Sequence, residues 1–316
     1  MKKTKTFLSL VLTITTSVSL YSCGHSAEKT NTSNTNDTSQ HLAESITDLK
    51  EAPENDIYLV NVYTGRLNSY NTKEHCYAEV VDSNNNYYCY MSPCAQNVYT
   101  VGDSNYYGFN VFSLNGDKID ITYSAKDNKG IFPLASTDDE QFFICSDYDE
   151  NNELVTSHIT ELDKNSNKMK EFKNISGMIT NGTVVGNTLY YTQYNEPEDI
   201  YTLYSVDKDD ISAVPEKIRD LKDGELYTYN NELLYIENGT IRSGDNSFES
   251  GMYCFFWNDL FVNFKVDDEG DLSANVFDAK TGSEMDSYCN PVGFRSSDDG
   301  TELYLCCLGD MHTYTA

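Results

Sequence analysis

From Asp56 to the last residue, hydrophobic and aromatic residues occur in short runs that alternate with polar residues. The runs are five to nine residues long, rich in Tyr, Phe and Val, and separated by Asn, Asp and Gly. Alternation with a period of two is typical of half-buried β-strands, and no long stretch repeats with the 3.6-residue period of a helix. The pattern therefore predicts an all-β domain over residues 56–316.

One short pattern returns six times in this region, a polar turn residue followed by two hydrophobic or aromatic residues. The copies begin at Asn97, Gln141, Thr188, Glu232, Asp259 and Glu302. Their spacings are 44, 47, 44, 27 and 43 residues, and a period near 43 matches one four-stranded blade of a β-propeller. Ser, Asp, Asn and Gly precede the copies and suit tight turns. The spacing therefore predicts a six-bladed propeller.

The 27-residue interval is the exception in this series. It contains residues 240–243 and 246–248, which leave room for only short outer strands. A seven-bladed propeller or a split sandwich therefore stays open as an alternative.

The last copy carries a resemblance to a known family. Residues 297–304, Ser-Asp-Asp-Gly-Thr-Glu-Leu-Tyr, resemble the Ser-Pro-Asp-Gly-x-x-Leu-Ala/Tyr turn of TolB-like six-bladed β-propellers. The copies of the form Gly/Asn-Asn-x-Leu-Tyr, such as residues 186–190, are similar to the related propellers of lipoproteins from anaerobic Gram-positive bacteria. The resemblance covers roughly residues 56–316, and it implies a fold rather than a chemistry.

A second internal similarity predicts how the propeller closes. Residues 60–65 read like residues 275–282, which are expected to end the third strand of a blade and to turn into the fourth. The chain would then enter midway through a blade, and residues 291–307 would supply the inner strands of that same blade. This pairing of the N- and C-terminal strands would remove an exposed sheet edge.

The N-terminus has the layout of a secretory signal peptide. Lys2, Lys3 and Lys5 precede an uncharged run over residues 7–20 that is too short and too polar to span a bilayer. Residues 20–23, Leu-Tyr-Ser-Cys, resemble the lipobox of bacterial lipoproteins, which implies cleavage before Cys23 and acylation of its thiol. An ordinary cleaved signal peptide with an incidental Cys23 is the alternative.

We therefore expect residues 1–22 to be a leader, and residues 23–55 to be a lipidated cysteine with a flexible linker. Residues 24–55 contain no aromatic residue and are rich in Ser, Thr and Asn, so they cannot form a core. The expected location is the extracytoplasmic side of a bacterial cell membrane, where acyl chains on Cys23 hold the protein on the bilayer.

The charge of the chain excludes one class of partner. The sequence has 22 Lys and Arg against 50 Asp and Glu, which gives a net charge of −28. Binding of nucleic acid requires clustered Lys or Arg that release counterions from the phosphates, and the only such cluster lies in the first five residues. We therefore expect no nucleic-acid partner.

The sequence contains no local signature of a hydrolase, a zinc enzyme or a nucleotide enzyme. Eight cysteines follow Cys23, and a domain with one or two disulfides involving Cys76, Cys89 or Cys94 is as consistent with them as a domain with none. Cys145 lies in an apolar strand, where a buried free thiol is expected.

An acidic turn is the nearest candidate for a metal site. Asp147, Asp149 and Asn151 have the alternating spacing that lets oxygens converge on calcium, although the residues that follow depart from the EF-hand rule. A solvated hairpin is the competing interpretation. The acidic segments 207–210 and 267–271 are expected to occupy equivalent turns in other blades.

Tyrosine is unusually frequent, with 25 copies in the chain. Most are expected to pack between blades, whereas those at loop tips could stack on sugars or anchor a protein partner. The candidates for partner binding are Tyr106, Tyr148, Tyr194 and the single tryptophan, Trp257.

The leading hypothesis from the sequence is a lipid-anchored binding or scaffolding protein whose propeller loops contact a protein or a glycan. A propeller enzyme of the lactonase or lyase type is the first alternative, and it predicts carboxylates that converge on a calcium ion at one mouth of the central channel. An accessory sensor subunit of a cell-envelope complex is the second. The fold class alone does not separate these functions.

Overall fold

The computed structural model describes residues 52–80, 97–101, 108–113, 118–124, 129–137, 139–149, 154–163, 168–297 and 299–316. The predicted leader, Cys23 and nearly all of the linker lie outside these ranges. Within them every regular element is a β-strand, and the paired strands are antiparallel, so the all-β prediction is confirmed. A search of the same ranges for a helix long and apolar enough to cross a membrane finds none.

Two sheets contain the first strands of the described chain. One combines β1 (Asp56–Asn61), β2 (Leu67–Asn71) and β3 (Cys76–Glu79) with β23 (Pro291–Ser296), β24 (Glu302–Cys307) and β25 (Asp310–Thr315), in the order β25-β24-β23-β1-β2-β3. The other contains β4 (Asn97–Val101), β5 (Gly108–Ser113) and β6 (Lys118–Ser124).

Four further sheets follow, each built from four strands that are consecutive in the chain. The first contains β7 (Lys129–Ser136), β8 (Glu140–Tyr148), β9 (Leu154–Asp163) and β10 (Lys168–Glu171). The second contains β11 (Ile179–Val185), β12 (Thr188–Asn195), β13 (Ile200–Asp207) and β14 (Glu216–Leu221). The third contains β15 (Leu226–Tyr229), β16 (Glu232–Glu237), β17 (Thr240–Ser243) and β18 (Asn246–Glu249). The fourth contains β19 (Tyr253–Trp257), β20 (Leu260–Val266), β21 (Leu272–Asp278) and β22 (Glu284–Cys289).

The repeated sequence pattern marks strand starts in this architecture. Five of its six copies lie at or next to the first residue of β8, β12, β16, β20 and β24, each of which follows a tight turn from the strand before it. The copy at Asn97 begins β4. The 27-residue interval contains the sheet β15–β18, whose outer strands β17 and β18 are four residues long, as the sequence predicted.

The first strands of three successive sheets run side by side in the same direction. Asn181 Oδ1 in β11 accepts a hydrogen bond from the Leu226 amide at 3.3 Å, and two residues further along both strands Thr183 Oγ1 lies 2.6 Å from Thr228 Oγ1. The contacts between β15 and β19 advance in the same way, because Tyr227 contacts Cys254 and Tyr229 contacts Phe256. Parallel neighbours place equivalent turns at one end of the three sheets. We call this end the hairpin end, defined by residues 186–187, 230–231 and 258–259.

Hydrophobic side chains from adjacent sheets fill the space between them. Phe255 and Phe264 pack on Phe294 of the terminal sheet, with ring centroids 4.4 and 5.8 Å apart. On the neighbouring seam, Phe248 and Phe261 form a second cluster with aromatic residues of β15 and β19. Alternation along each strand sends these side chains toward the next sheet, which explains the period-two pattern of the sequence.

The terminal strands meet in an order that differs from the expected one. β1 pairs with β23 through Val60 opposite Phe294 and Asn61 opposite Gly293, whereas the sequence placed β1 after the inner strands of 291–307. The reason is β25, which the sequence analysis did not predict. β25 pairs along the whole of β24 and occupies the edge that β1 was expected to take.

The local similarity between residues 60–65 and 275–282 is present in the structure. Asn61 Oδ1 accepts hydrogen bonds from the amides two and three residues further on, at 2.9 and 3.0 Å. Asp278 Oδ1 accepts the equivalent pair at 2.9 and 2.8 Å. The same side-chain-capped turn therefore ends β1 and β21.

Candidate functional site

The predicted calcium site lies only partly in the described chain. Asp147 is in β8 opposite Thr156, Asp149 follows the strand, and Asn151 lies outside the described residues. Among the described residues, no group of three or more His, Cys, Asp or Glu side chains could hold a metal ion. A calcium ion at this turn stays a prediction.

The other acidic segments differ in their positions. Residues 267–271 connect the second and third strands of their sheet, as residues 149–153 do, and Asp267 Oδ1 accepts the amides of Glu269 and Asp271 at 2.9 and 2.8 Å. Residues 207–210 instead lead from the third strand to the fourth, so the expected equivalence is wrong for this segment. Acidic residues mark a turn in the sequence but do not tell which turn it is.

Two of the candidate tyrosines occupy matching positions. Tyr148 and Tyr194 lie at or next to the ends of β8 and β12, the second strands of consecutive sheets. The Tyr194 hydroxyl donates a hydrogen bond to Asp199 Oδ1 at 2.9 Å, and this bond raises the pKa of the phenol. Its ring lies 5.0 Å from that of Tyr201. Tyr106 lies outside the described residues.

Trp257 belongs to the hydrophobic core. It is the last residue of β19 rather than part of the following turn, it pairs with Leu260, and only 7% of its surface is exposed. It packs in the same cluster as Phe255 and Phe294. The turn begins one residue later at Asn258, whose positive φ of 49° is the left-handed conformation that Asn tolerates. Trp257 therefore has little surface available to a partner.

A shallow groove opens at the hairpin end of the described chain. It has a volume of about 470 Å³ and lies between the β15–β16 and β19–β20 turns. It is lined by Thr228, Tyr229 and Asn230 from the first turn and by Phe256, Asn258 and Asp259 from the second, with Ala316 on the remaining side. Its volume is within the range of about 300–1,000 Å³ that is usual for small-molecule sites.

The aromatic floor of the groove is supported from behind. The rings of Tyr229 and Phe256 stack with centroids 5.0 Å apart and an interplanar angle of 25°. Phe248 and Phe261 contact the Phe256 ring at centroid distances of 5.7 and 4.8 Å. Packing on several sides fixes the rotamer of Phe256, so the groove is rigid at this wall.

A tyrosine, a carboxylate and a lysine are linked beside these rings. The Tyr229 hydroxyl donates to Asp259 Oδ1 at 3.3 Å, and Lys280 Nζ lies 2.5 Å from Asp259 Oδ2. Burial is the main cause that raises the pKa of Tyr229, although its hydrogen bond with the Asn230 side chain opposes the shift. The ion pair with Asp259 raises the pKa of Lys280. The carboxylate in the groove wall is thus charge-compensated.

Polar groups continue from the groove into the interior along the β15–β19 seam. The Tyr227 hydroxyl donates a hydrogen bond to Glu225 Oε2, and the Cys254 Sγ lies 3.2 Å from the same hydroxyl. Burial raises the pKa of the Glu225 carboxyl, the Tyr227 bond lowers it, and nearby Asp223 adds to the rise. Burial also raises the pKa of the Cys254 thiol, so this cysteine is a poor nucleophile.

Glu225 gives a testable pH dependence of stability. Because its folded-state pKa is raised above the ordinary value, the folded state retains a proton that the unfolded state releases. The favourable contribution of the Glu225 carboxyl to the free energy of unfolding is complete below its ordinary pKa. It is lost as the pH rises through the folded-state pKa. The loss is about 1.4 kcal/mol for each pH unit that separates the folded-state and unfolded-state pKa values. Glu225→Gln removes this loss and keeps an acceptor for Tyr227.

We therefore expect the stability of Glu225→Gln relative to that of the parent to be higher at pH 8 than at pH 4. Chemical denaturation at both pH values measures this difference. Glu198→Gln, which removes an exposed carboxylate, is the matched control. An equal effect of Glu225→Gln at pH 4 and pH 8 would show that Glu225 is not destabilised by burial.

No disulfide joins the cysteines of the described chain. Cys145 is buried, which confirms its predicted state, and Cys76 and Cys289 are exposed. Cys306 and Cys307 are both buried, and burial is the largest cause that raises the pKa of Cys307 to about 12. Cys89 and Cys94, the other candidates for a disulfide, lie outside the described residues.

The groove was not predicted from the sequence. Asn before a repeat copy was interpreted only as a turn residue, although Asn230 and Asn258 each directly follow an aromatic residue or an aromatic pair. The combination of a left-handed Asn turn and an aromatic residue just before it was the available signal. It became meaningful only when the fold placed two such turns side by side.

No protein-family model matches the sequence, and no curated protein matches it. Solved structures with a similar fold include TolB from Acinetobacter baumannii, with a TM-score of 0.48 and 14% identity over 75% of this chain and 64% of TolB. They also include the uncharacterised protein lmo1340 from Listeria monocytogenes EGD-e, with a TM-score of 0.47 and 12% identity over 86% of this chain and 97% of that protein. The tricorn protease gives a TM-score of 0.45 and 10% identity over 85% of this chain and 33% of the protease. Similarities at this level carry no information on activity.

Proposed function

We propose that this protein is a lipid-anchored, extracytoplasmic six-bladed β-propeller that binds a protein or glycan partner without catalysing a reaction. Six sheets in the described residues, the parallel first strands of three of them and the repeat near 43 residues support the propeller. The pairing of β1 with β23 supports closure through the two ends of the chain.

The groove at the hairpin end is the single observation that carries the binding function. It combines a rigid aromatic wall with exposed amides on two neighbouring turns, which is the mixture of apolar and hydrogen-bonding groups that recognition sites use. Its ionisable groups are engaged with one another, since Asp259 is bound to Lys280 and Tyr229. This arrangement suits recognition better than acid or base chemistry.

Binding can be tested with the full-length protein held in a detergent that has no sugar headgroup. We expect cell-envelope material to be retained by the parent protein and to be lost when Asn230→Gly and Asn258→Gly are combined. Glycine removes both amides and keeps the positive φ that each turn requires. Asn238→Gly is the matched control, because Asn238 has a φ of 55° in an exposed turn away from the groove. Equal retention by all three proteins would refute binding at the groove.

Membrane attachment through Cys23 gives a separate prediction. We expect Cys23→Ala to move the protein from the membrane fraction to the soluble fraction, because two acyl chains supply nearly all of the membrane affinity. The strong negative charge of the chain adds no attraction to anionic lipids. Immunoblotting of fractionated cells measures the change, with Cys76→Ala, which replaces an exposed thiol, as the control. A Cys23→Ala protein that stays in the membrane fraction would exclude the lipid anchor.

A further inference from the structure

We propose that the groove at the hairpin end binds a neutral, hydroxyl-rich saccharide, with Asn230 and Asn258 as its hydrogen-bonding residues and Phe256 as its apolar wall. This inference rests on the proposed binding function and names the class of partner. It is carried by the chemistry of the two turns, by the aromatic wall and by the local charge.

The two asparagines present groups that match sugar hydroxyls. Both are exposed and lie on the two neighbouring turns that line the groove, and Asn230 keeps polar groups beyond its bond with the Tyr229 hydroxyl. A side-chain amide offers two donors and an acceptor at one place, and a hydroxyl also donates and accepts. The φ angles of 50° and 49° fix both turns in the same left-handed conformation, so the amides are held by rigid backbone.

The aromatic wall provides the complementary apolar surface. Phe256 is partly buried, stacks on Tyr229 and is one of the residues that line the groove. A pyranose ring has C–H groups on one face and hydroxyls around its edge, and an aromatic ring packs well on such a face. Phe248 and Phe261 hold the Phe256 ring in place, which reduces the entropy lost on binding.

The charges of the protein favour a neutral saccharide over a charged one. A chain with a net charge of −28 repels anionic polymers over the range of its field. Cations gain little from Asp259, because this carboxylate is already bound by Lys280 at 2.5 Å and by Tyr229. A neutral ligand is not repelled by the negative chain, and it does not depend on an attraction to Asp259. The open groove of about 470 Å³ admits a few rings of a longer glycan chain.

The test uses defined oligosaccharides and the full-length protein in a detergent without a sugar headgroup. The probes are neutral tetrasaccharides of glucose, of mannose and of N-acetylglucosamine, with tetragalacturonate as the anionic probe. Saturation-transfer NMR detects binding, and titration of the same signals gives the Kd. We expect at least one neutral tetrasaccharide to bind and tetragalacturonate to bind much more weakly.

The asparagine variants locate the binding. Combining Asn230→Gly with Asn258→Gly is expected to raise the Kd for the neutral tetrasaccharide by about tenfold or more, since two hydrogen bonds are lost. Asn238→Gly is expected to leave the Kd unchanged. A melting curve for each variant separates lost binding from lost folding, and Phe256→Leu, which keeps an apolar side chain, gives an independent test of the wall.

Three results would overturn the inference: no binding of any neutral tetrasaccharide at millimolar concentration, equal binding of tetragalacturonate, or a Kd that is insensitive to the paired asparagine variant. Retention of cell-envelope material that depends on Asn230 and Asn258, and is destroyed by protease, would identify a protein partner. The saccharide inference would then fail while the proposed binding function held. If neither the saccharides nor the envelope material bound, both would fail.

Discussion

Replacing Tyr70 by alanine is expected to lower the free energy of unfolding by about 3–5 kcal/mol, the range for removal of a large buried aromatic side chain. Tyr70 is fully buried in β2 and packs with Leu59, Val292 and Cys306. Its hydroxyl lies 2.8 Å from the Cys307 carbonyl oxygen and 2.7 Å from that of Asp310. One side chain thus connects the N-terminal strands to the turn between β24 and β25.

The hydroxyl and the ring of Tyr70 make separable contributions. Tyr70→Phe keeps the packing but leaves the buried Cys307 carbonyl without the hydroxyl beside it, so we expect a loss of about 1–3 kcal/mol. Tyr77 is the matched control, because it pairs with Tyr70 across β2 and β3 and is 42% exposed. Tyr77→Ala is expected to change stability by no more than about 0.5 kcal/mol. Chemical denaturation followed by circular dichroism measures all three variants.

A result in which Tyr70→Ala costs no more than Tyr77→Ala would contradict the joining of the chain ends. It would mean that β1–β3 detach from the terminal strands without loss of the remaining sheets. The size of the Tyr70 effect therefore tests whether the two ends of the chain are joined. β1 and β23 share two residue pairs, and side chains such as Tyr70 add to their contact.

The strand starts were predictable because their cause is local. A tight turn needs Gly, Asn or Asp in a left-handed conformation, and Gly186, Asn230 and Asn258 have positive φ at the turns before β12, β16 and β20. The hydrophobic pair that follows begins the second strand of each sheet, whose central residues are buried or partly buried. Both signals lie within a few residues of one another, so a single sequence contains them.

Strand β25 was not predictable in the same way. Its sequence, Asp-Met-His-Thr-Tyr-Thr, is mostly polar, and its residues alternate between exposed and partly exposed. An edge strand of this kind is stabilised mainly by main-chain hydrogen bonds to β24, and only Met311 and Tyr314 pack against the core clusters. Because β25 was not predicted, β1 was wrongly expected to pair with the edge of β24 that β25 occupies.

The groove depends on contacts between distant parts of the chain. Asn230 and Asn258 are 28 residues apart, and they line one groove only because β15 and β19 are parallel neighbours. Strand period, turn type and composition contain no information on which sheets lie side by side. The same limit explains Trp257, which follows an aromatic run and precedes a turn, so that burial and exposure were equally consistent with its position.

Replacing Trp257 by alanine is expected to lower the free energy of unfolding by about 3–5 kcal/mol, because the side chain is 7% exposed and packs between two sheets. Trp257→Phe keeps most of the volume and is expected to cost much less. Since Trp257 is the only tryptophan, its fluorescence in the parent protein is a direct measure of burial. We expect weak quenching by acrylamide until the protein unfolds.

The two interpretations of Trp257 also differ in their effect on binding. A core residue changes stability when it is replaced, and Trp257→Phe then leaves the affinity of the groove for its partner unchanged. A partner contact gives the opposite pattern, with normal stability and lost binding. Phe256→Leu is the control that lines the groove, and we expect it to weaken binding. Strong quenching of Trp257 in the folded protein, or loss of binding in Trp257→Phe at unchanged stability, would return this residue to the binding surface.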